Sequence, residues 1–212
     1  ETCDQFHFLS TTSKYLKSYT TKGSIIDSIN LTSLPTINDI YVLTKDSIFL
    51  SLENRNELLL INRNGDIIKK YNFKIKNNST PFHIYNYSAF PLVIKDSLVY
   101  TYHYFENETE INNLPNYFSS PRELVFNLHD SLNLKYKMGK FPTSYIDADF
   151  SEMNPQRTFG HDKYVLYSFE ASDSIFIYNS NGIIVKSLAL NSNMFKQNTR
   201  LNTQNIMKEK YF

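Results

Sequence analysis

The sequence predicts an all-β fold, a β-propeller built of four-stranded antiparallel blades. Three observations lead to this prediction. A segment with one apolar spacing recurs four times, the turn inside each copy carries hairpin-forming residues, and the composition favours strands. The copies start at Gly23, Gly65, Asp130 and Gly182. Such a repeat marks one supersecondary unit whose copies stack on one another to build a continuous core.

Apolar residues stand at matching offsets from the four starts. One apolar residue lies four positions before the start, and three others lie two, six and eight positions after the start. In that order of offsets the sets are Tyr19, Ile61, Phe126 and Tyr178; Ile25, Ile67, Leu132 and Ile184; Ile29, Tyr71, Tyr136 and Leu188; and Leu31, Phe73, Met138 and Leu190. Phe and Tyr occur 16 times each, and aromatic residues favour strands. Apolar positions fixed relative to a turn indicate that the copies form equivalent structures.

Each copy has the pattern of a β-hairpin. In the second, apolar residues 58–61 precede the turn at Asn64-Gly65, and the chain returns through residues 67–73. Asn-Gly tolerates the positive φ of tight turns, and Asp130 is expected to take that left-handed conformation in the third copy. The predicted hairpins lie near residues 14–31, 58–73, 123–138 and 174–190. Further strands are expected after Asp46, Asp96 and Asp162.

The spacing of the copies predicts the number of blades. Successive starts lie 42, 65 and 52 residues apart, and a blade commonly takes about 40–50 residues. The long interval is explained by an insertion at residues 104–121, which are mostly polar or turn-forming. Residues 1–212 are therefore expected to form a single propeller domain of about four blades, as part of a six-bladed propeller. The alternative is a partner chain that completes the ring, because an open arc leaves two sheet edges exposed.

Composition excludes several classes of protein. Lys and Arg number 22 against 21 Asp and Glu, so a net charge of +1 offers no field that would attract nucleic acid. No stretch approaches the roughly 20 apolar residues of a transmembrane helix. Cys3 is the single cysteine, which excludes an intrachain disulfide. The best candidate for a helix is a short terminal one over residues 203–211, and the alternative there is a frayed tail.

The repeats also resemble a known group of proteins. The strand at residues 46–50, followed by residues 59–68, resembles the blades of six-bladed, TolB-like β-propellers, which abound as envelope lipoproteins of Bacteroidetes. Residues 167–179 are similar to a blade of an uncharacterised family in that group. The resemblance extends from Lys14 to about Leu190 and implies a periplasmic or cell-surface address. Glu1-Thr2 matches a lipidation signal at Cys3 poorly, so a lipid anchor is expected on a residue outside this chain.

No residue cluster predicts a reaction, a cofactor or a metal. The five histidines show no metal-ligand spacing, and the carboxylates at 147–152 lack the glycine and further oxygen ligands of a calcium loop. Ligands of propellers generally meet loops held by several blades at one end of the channel. The residues expected on such loops, and proposed as ligand-binding, are Arg122, Tyr145, Arg157 and His161.

These observations predict a non-enzymatic binding or scaffold protein of the bacterial envelope, with an unknown protein or glycan partner. The alternative is a hydrolase or lyase of glycans or peptides. Its site would join at least two of Asp147, Asp149, Arg157 and His161 at the mouth of the channel.

Overall fold

A computed structural model describes residues 5–10, 14–53, 55–75, 82–86, 90–105, 114–145, 155–161, 164–169 and 172–190. Within these ranges the strands form four antiparallel sheets, which confirms the predicted all-β fold. The chain divides into two compact units. Unit 1 takes residues 1–103 and 125–135, and unit 2 takes residues 104–124 and 136–212. None of the described helical segments has the length and hydrophobicity needed to cross a bilayer.

The first two sheets follow the chain order of their strands. The first contains β1 (Gln5–Ser10), β2 (Tyr15–Thr20) and β3 (Ile25–Asn30). The second contains β4 (Ile37–Thr44), β5 (Ser47–Leu52), β6 (Glu57–Ile61) and β7 (Ile67–Asn72). One buried apolar cluster joins these sheets, and it is formed by Leu16, Ile29, Leu31, Leu34, Ile37, Ile48, Leu50, Leu52, Leu59 and Ile61.

The third and fourth sheets follow the same plan with one elaboration. The third contains β8 (Phe82–Ile84), β9 (Val93–Lys95), β10 (Leu98–Phe105), β11 (Glu123–Asn127) and β12 (Asn133–Met138). Its order is β12-β11-β10-β8, with β9 also paired to β10. The fourth contains β13 (Gln156–Phe159), β14 (Val165–Ser168), β15 (Ser174–Tyr178) and β16 (Ile184–Ala189), in that order.

Two helical segments occur within the described residues. Helix α1 (Leu114–Ser119) occupies part of the predicted insertion and was not expected, because its six residues are too few to show a helical period. A single 3₁₀ turn follows at Thr143–Tyr145. The helix predicted over residues 203–211 falls outside the described residues.

Turn chemistry explains why the hairpins form. The amide N–H of Gly65 donates to the carbonyl of Asn62 at 3.0 Å, and Gly182 makes the same bond to Asn179 at 3.0 Å. Both glycines have positive φ, at 86° and 74°. In the third copy the prediction for Asp130 is wrong, because Ser131 and Leu132 take the left-handed conformation instead. In that turn the strained left-handed residues therefore lie one and two positions after Asp130, the residue equivalent to the glycines of the other copies.

Two further features of unit 1 have energetic consequences. Asp96 and Ser97 join β9 to β10 with φ values of 50° and 61°, a pattern that favours Asn-Gly.

The buried side-chain amide of Asn86 donates to the hydroxyl of Ser51 at 3.1 Å, and its carbonyl oxygen accepts a hydrogen bond from the amide N–H of Tyr102 at 3.1 Å. A buried amide with both ends bonded fixes the register of the strands around it.

Candidate functional site

The most distinctive polar feature of unit 2 is a buried ionic cluster around Glu123. This residue begins β11 and is fully buried. The guanidinium of Arg157, on β13, forms an ion pair with its carboxylate, and the hydroxyl of Tyr167, on β14, donates to the second carboxylate oxygen. The Arg157 side chain is 2% exposed. We call Glu123, Arg157 and Tyr167 the Glu123 cluster; it links the first residue of β11 to β13 and β14.

Electrostatics explain the composition of the Glu123 cluster. Burial raises the pKa of the Glu123 carboxyl well above its usual range, because the apolar surroundings disfavour the charged form. The guanidinium of Arg157 opposes this effect, since an adjacent positive charge favours the carboxylate. An arginine does not lose its proton in a protein, so the pair carries no net charge whenever Glu123 is ionised. A buried charge that is paired and hydrogen-bonded avoids most of the cost of desolvation.

Arg122 lies beside the cluster but makes different contacts. It is fully buried, and its guanidinium carbon lies 4.2 Å from the centroid of the Tyr117 ring. Its Nε donates to the carbonyl of Ser120 at 3.2 Å, and its amide N–H donates to the carbonyl of Gly139 at 3.3 Å. A guanidinium over an aromatic face is stabilised by the ring quadrupole. These contacts anchor the segment between α1 and β11.

Tyr145 is held in an aromatic group of unit 2. It is fully buried, with ring centroids 5.6 Å from Phe118, 5.2 Å from Phe141 and 6.3 Å from Phe169. Such edge-to-face and tilted contacts are favourable beyond the area they bury. The predicted ligand-binding tyrosine therefore packs as a core residue in the described part of the chain.

Gly139 permits the close packing of Tyr167. A Cβ at this position would lie 2.9 Å from the Tyr167 ring, and the φ of Gly139 is +72°. Burial raises the pKa of the Tyr178 hydroxyl to about 12, and the backbone of Lys140 and Gly139 acts in the opposite direction. The Tyr178 hydroxyl therefore stays protonated at neutral pH.

His161 differs from the other three predicted residues, because it is exposed. It follows β13 in the turn to β14, where the amide N–H of Gly160 donates to the carbonyl of Tyr164 at 2.9 Å. The Tyr164 side chain is 42% exposed. This turn presents an imidazole and a phenol to solvent.

The structure thus separates the predicted residues by burial. Arg122, Tyr145 and Arg157 are buried, and His161 is exposed. Asp147 and Asp149 lie outside the described residues. Within the described ranges, no group of three or more His, Cys, Asp or Glu could hold a metal ion. Sequence reasoning missed Glu123; the signal was a charged pair placed directly before the apolar run 124–126.

Comparison with known proteins gives the fold. No protein-family model and no curated protein matches the sequence. The chain is similar to the crystal structure of a DUF4221 family member from Bacteroides vulgatus, with a TM-score of 0.62 and 15% identity, covering 91% of this chain and 56% of that one. It is also similar to virginiamycin B lyase from Staphylococcus aureus (TM-score 0.47, 15% identity, 89% and 53% covered) and to BamB from Moraxella catarrhalis (TM-score 0.39, 11% identity, 88% and 61% covered).

The four antiparallel sheets and the likeness to the Bacteroides protein establish the fold. The chain is an all-β β-propeller of antiparallel blades, as the repeat predicts. It spans little more than half the length of the structures it matches. At 15% identity the likeness shows a shared fold alone.

Proposed function

We propose that this chain is a non-enzymatic binding or scaffold module of the bacterial envelope, periplasmic or at the cell surface. It forms a single propeller domain within a six-bladed, TolB-like propeller, and its ligand is a protein or a glycan. The envelope address rests on the sequence resemblance to Bacteroidetes lipoproteins. The absence of a catalytic role rests on the chemistry of the Glu123 cluster.

The observation that carries the proposal is the burial and pairing of the Glu123 carboxylate in unit 2. A general acid or base must reach the proton that it transfers, so its polar atoms need access to substrate. The carboxylate of Glu123 is fully buried and bonded to Arg157 and Tyr167. Burial among strands raises the pKa of the Glu123 carboxyl. A raised pKa occurs in structural ion pairs as well as in active sites.

The turn between β13 and β14 offers the contact surface for a ligand. His161 and Tyr164 are both exposed there. Loops on a rigid sheet commonly carry recognition residues, and tyrosine supplies large contact area at low entropic cost. Tyr85 provides a matched control, since its side chain is 43% exposed against 42% for Tyr164 and it lies outside unit 2.

The experiment measures binding and turnover together. Wild-type protein and the variants H161A, Y164S and Y85S are immobilised and probed with purified envelope polysaccharides and with solubilised envelope proteins. We expect saturable binding of at least one probe by wild type and Y85S, and weaker binding by H161A and Y164S. The mass of the bound probe should be unchanged after prolonged incubation.

The enzyme hypothesis predicts a different result. Shortening of a glycan or peptide probe by wild type, abolished in H161A, would replace the binding proposal with a hydrolase or lyase. Equal loss of binding in Y164S and Y85S would show that the β13–β14 turn is not the contact surface.

A further inference from the structure

The blades are joined by a contact that recurs along the chain. In unit 1, the turn of the second hairpin lies against the outer strand β3 of the first blade. A Cβ on Gly65 would lie 3.1 Å from the carbonyl oxygen of Asn30 and 3.2 Å from the side chain of Ile29. Leu31 is also within contact distance, at 3.9 Å. The residues contacted stand six to eight positions after the start at Gly23.

The same joint appears at the next two blades. In unit 1, the amide N–H of Lys74 donates to the carbonyl of Leu132 at 3.0 Å, and Leu134 donates to the carbonyl of Lys74 at 2.9 Å. In unit 2, a Cβ on Gly182 would lie 2.6 Å from the Tyr136 ring. The second, third and fourth hairpin turns therefore each lie against the end of the outer strand of the blade before them.

Burial at the contacted positions depends on this joint. Eight residues after each start, Leu31, Phe73 and Met138 are 0%, 5% and 1% exposed, whereas Leu190 is 39% exposed. Six residues after the start, Ile29 and Tyr71 are 6% and 8% exposed, whereas Leu188 is 39% exposed. In the third copy the equivalent residue, Tyr136, is half-buried. The fourth copy therefore keeps large apolar residues at positions that the earlier copies bury fully or in part.

Other positions of the outer strands act as an internal control. Three residues after the start, Ile26, Ile68 and Val185 are 46%, 56% and 50% exposed. Ile26 and Ile68 stay exposed although another blade follows each of them, so the next blade does not cover this position. The next blade covers the positions equivalent to Leu188 and Leu190, and the exposure of these two leucines is therefore not a general property of outer strands. In the first copy, a Cβ on Gly23 would meet no atom of the described residues within 4 Å. The first turn therefore lacks the contact made at Gly65 and Gly182.

We propose that Leu188 and Leu190 form a docking site for the hairpin turn of a fifth blade, supplied by the same polypeptide beyond residue 212. The occupant is a tight turn with a small left-handed residue, because that is what the equivalent positions of β3 and β12 receive. At the observed repeat of 42 to 65 residues, the next turn falls after residue 212. The Bacteroides protein carries the same fold in a longer chain, of which this one covers 56%. The docking site rests on the six-bladed propeller of the proposed function and does not depend on the proposed ligand binding.

Thiol labelling tests this site. In a C3S background, single cysteines are placed at Leu188, Leu190 and, as the matched control, Val185. Each is labelled with a thiol reagent in residues 1–212 and in the polypeptide of the complete reading frame. We expect L188C and L190C to react at least about tenfold more slowly in the longer polypeptide, because a covered thiol reacts only when the blade opens. V185C should react at the same rate in both.

Two results would overturn the proposal. One is equal reactivity of L188C, L190C and V185C in the longer polypeptide. The other is protection of L188C and L190C in residues 1–212 alone that increases with protein concentration, together with a doubled mass in light scattering, because a second copy would then be the occupant. Hydroxyl-radical footprinting of the unmodified leucines gives the same comparison without substitution.

Discussion

The Glu123 cluster makes the sharpest energetic prediction. The perturbation is a double-mutant cycle of E123Q, R157M and the double variant. Glu123 is fully buried and the Arg157 side chain is 2% exposed, so neither charge can be rehydrated without unfolding. Removing one partner of such a pair costs about 3–5 kcal/mol, whereas removing both charges costs much less. The double variant should therefore be more stable than either single variant.

The two single variants should respond differently to pH. Burial raises the folded-state pKa of Glu123 above its unfolded value, so the folded chain holds this proton more tightly. Stability from a raised carboxyl pKa is present at low pH and is lost as the pH rises past the unfolded value of about 4.3 towards the folded pKa. Loss of Arg157 removes the charge that opposes protonation. R157M should therefore lose less stability at pH 5 than at pH 8, while E123Q should show no such recovery.

The assay is urea unfolding followed by far-ultraviolet circular dichroism and tyrosine fluorescence, since the chain contains no tryptophan. The pair Arg55–Glu57 is the matched control, with side chains 55% and 32% exposed and 3.8 Å between them. R55M and E57Q should each change stability by less than about 1 kcal/mol. The reasoning is refuted if the cost of the double variant equals the sum of the single costs. It is also refuted if the deficit of R157M grows on acidification.

Three other outcomes follow from the turns and the buried amide. G182A should destabilise the protein by about 2–4 kcal/mol, from left-handed strain and overpacking, whereas G23A should cost only about 1–2 kcal/mol; equal losses in thermal melts would contradict this. D96N with S97G should stabilise it by about 0.5–1 kcal/mol, seen as a higher urea midpoint with an unchanged slope. N86A should cost about 1–3 kcal/mol because two bonded partners lose the amide, and a smaller effect in urea unfolding would show that water replaces it.

The repeat explains why the fold was predictable from the sequence. The residue four positions before each start is buried in the last three copies, at Ile61, Phe126 and Tyr178. Hairpin turns are local, and their Asn-Gly chemistry is written in adjacent residues. Side-chain exposure was harder to predict. Ile25, Ile67 and Ile184 are apolar and repeat in register, yet all three are exposed, because outer strands carry apolar residues that no neighbouring strand covers.

The candidate site was less predictable, because it depends on contacts between residues distant in sequence. Arg122, Tyr145 and Arg157 were expected on loops, and the structure buries all three. Their burial depends on the packing of α1 and of the fourth sheet. The periodicity of apolar residues in the sequence does not predict which loops pack into the core. Glu123 meets Tyr167 across 44 residues of sequence. Whether any of these residues binds a ligand stays a prediction.

The joint between successive blades is the central claim, and nuclear Overhauser effects test it most directly. In isotope-labelled residues 1–212, the α-protons of Gly65 and Gly182 should show cross-peaks to the side chains of Ile29 and Tyr136, respectively. The α-protons of Gly23 should show none to the outer strand of another blade. Loss of both cross-peaks, or a strong one from Gly23 to such a strand, would contradict the account.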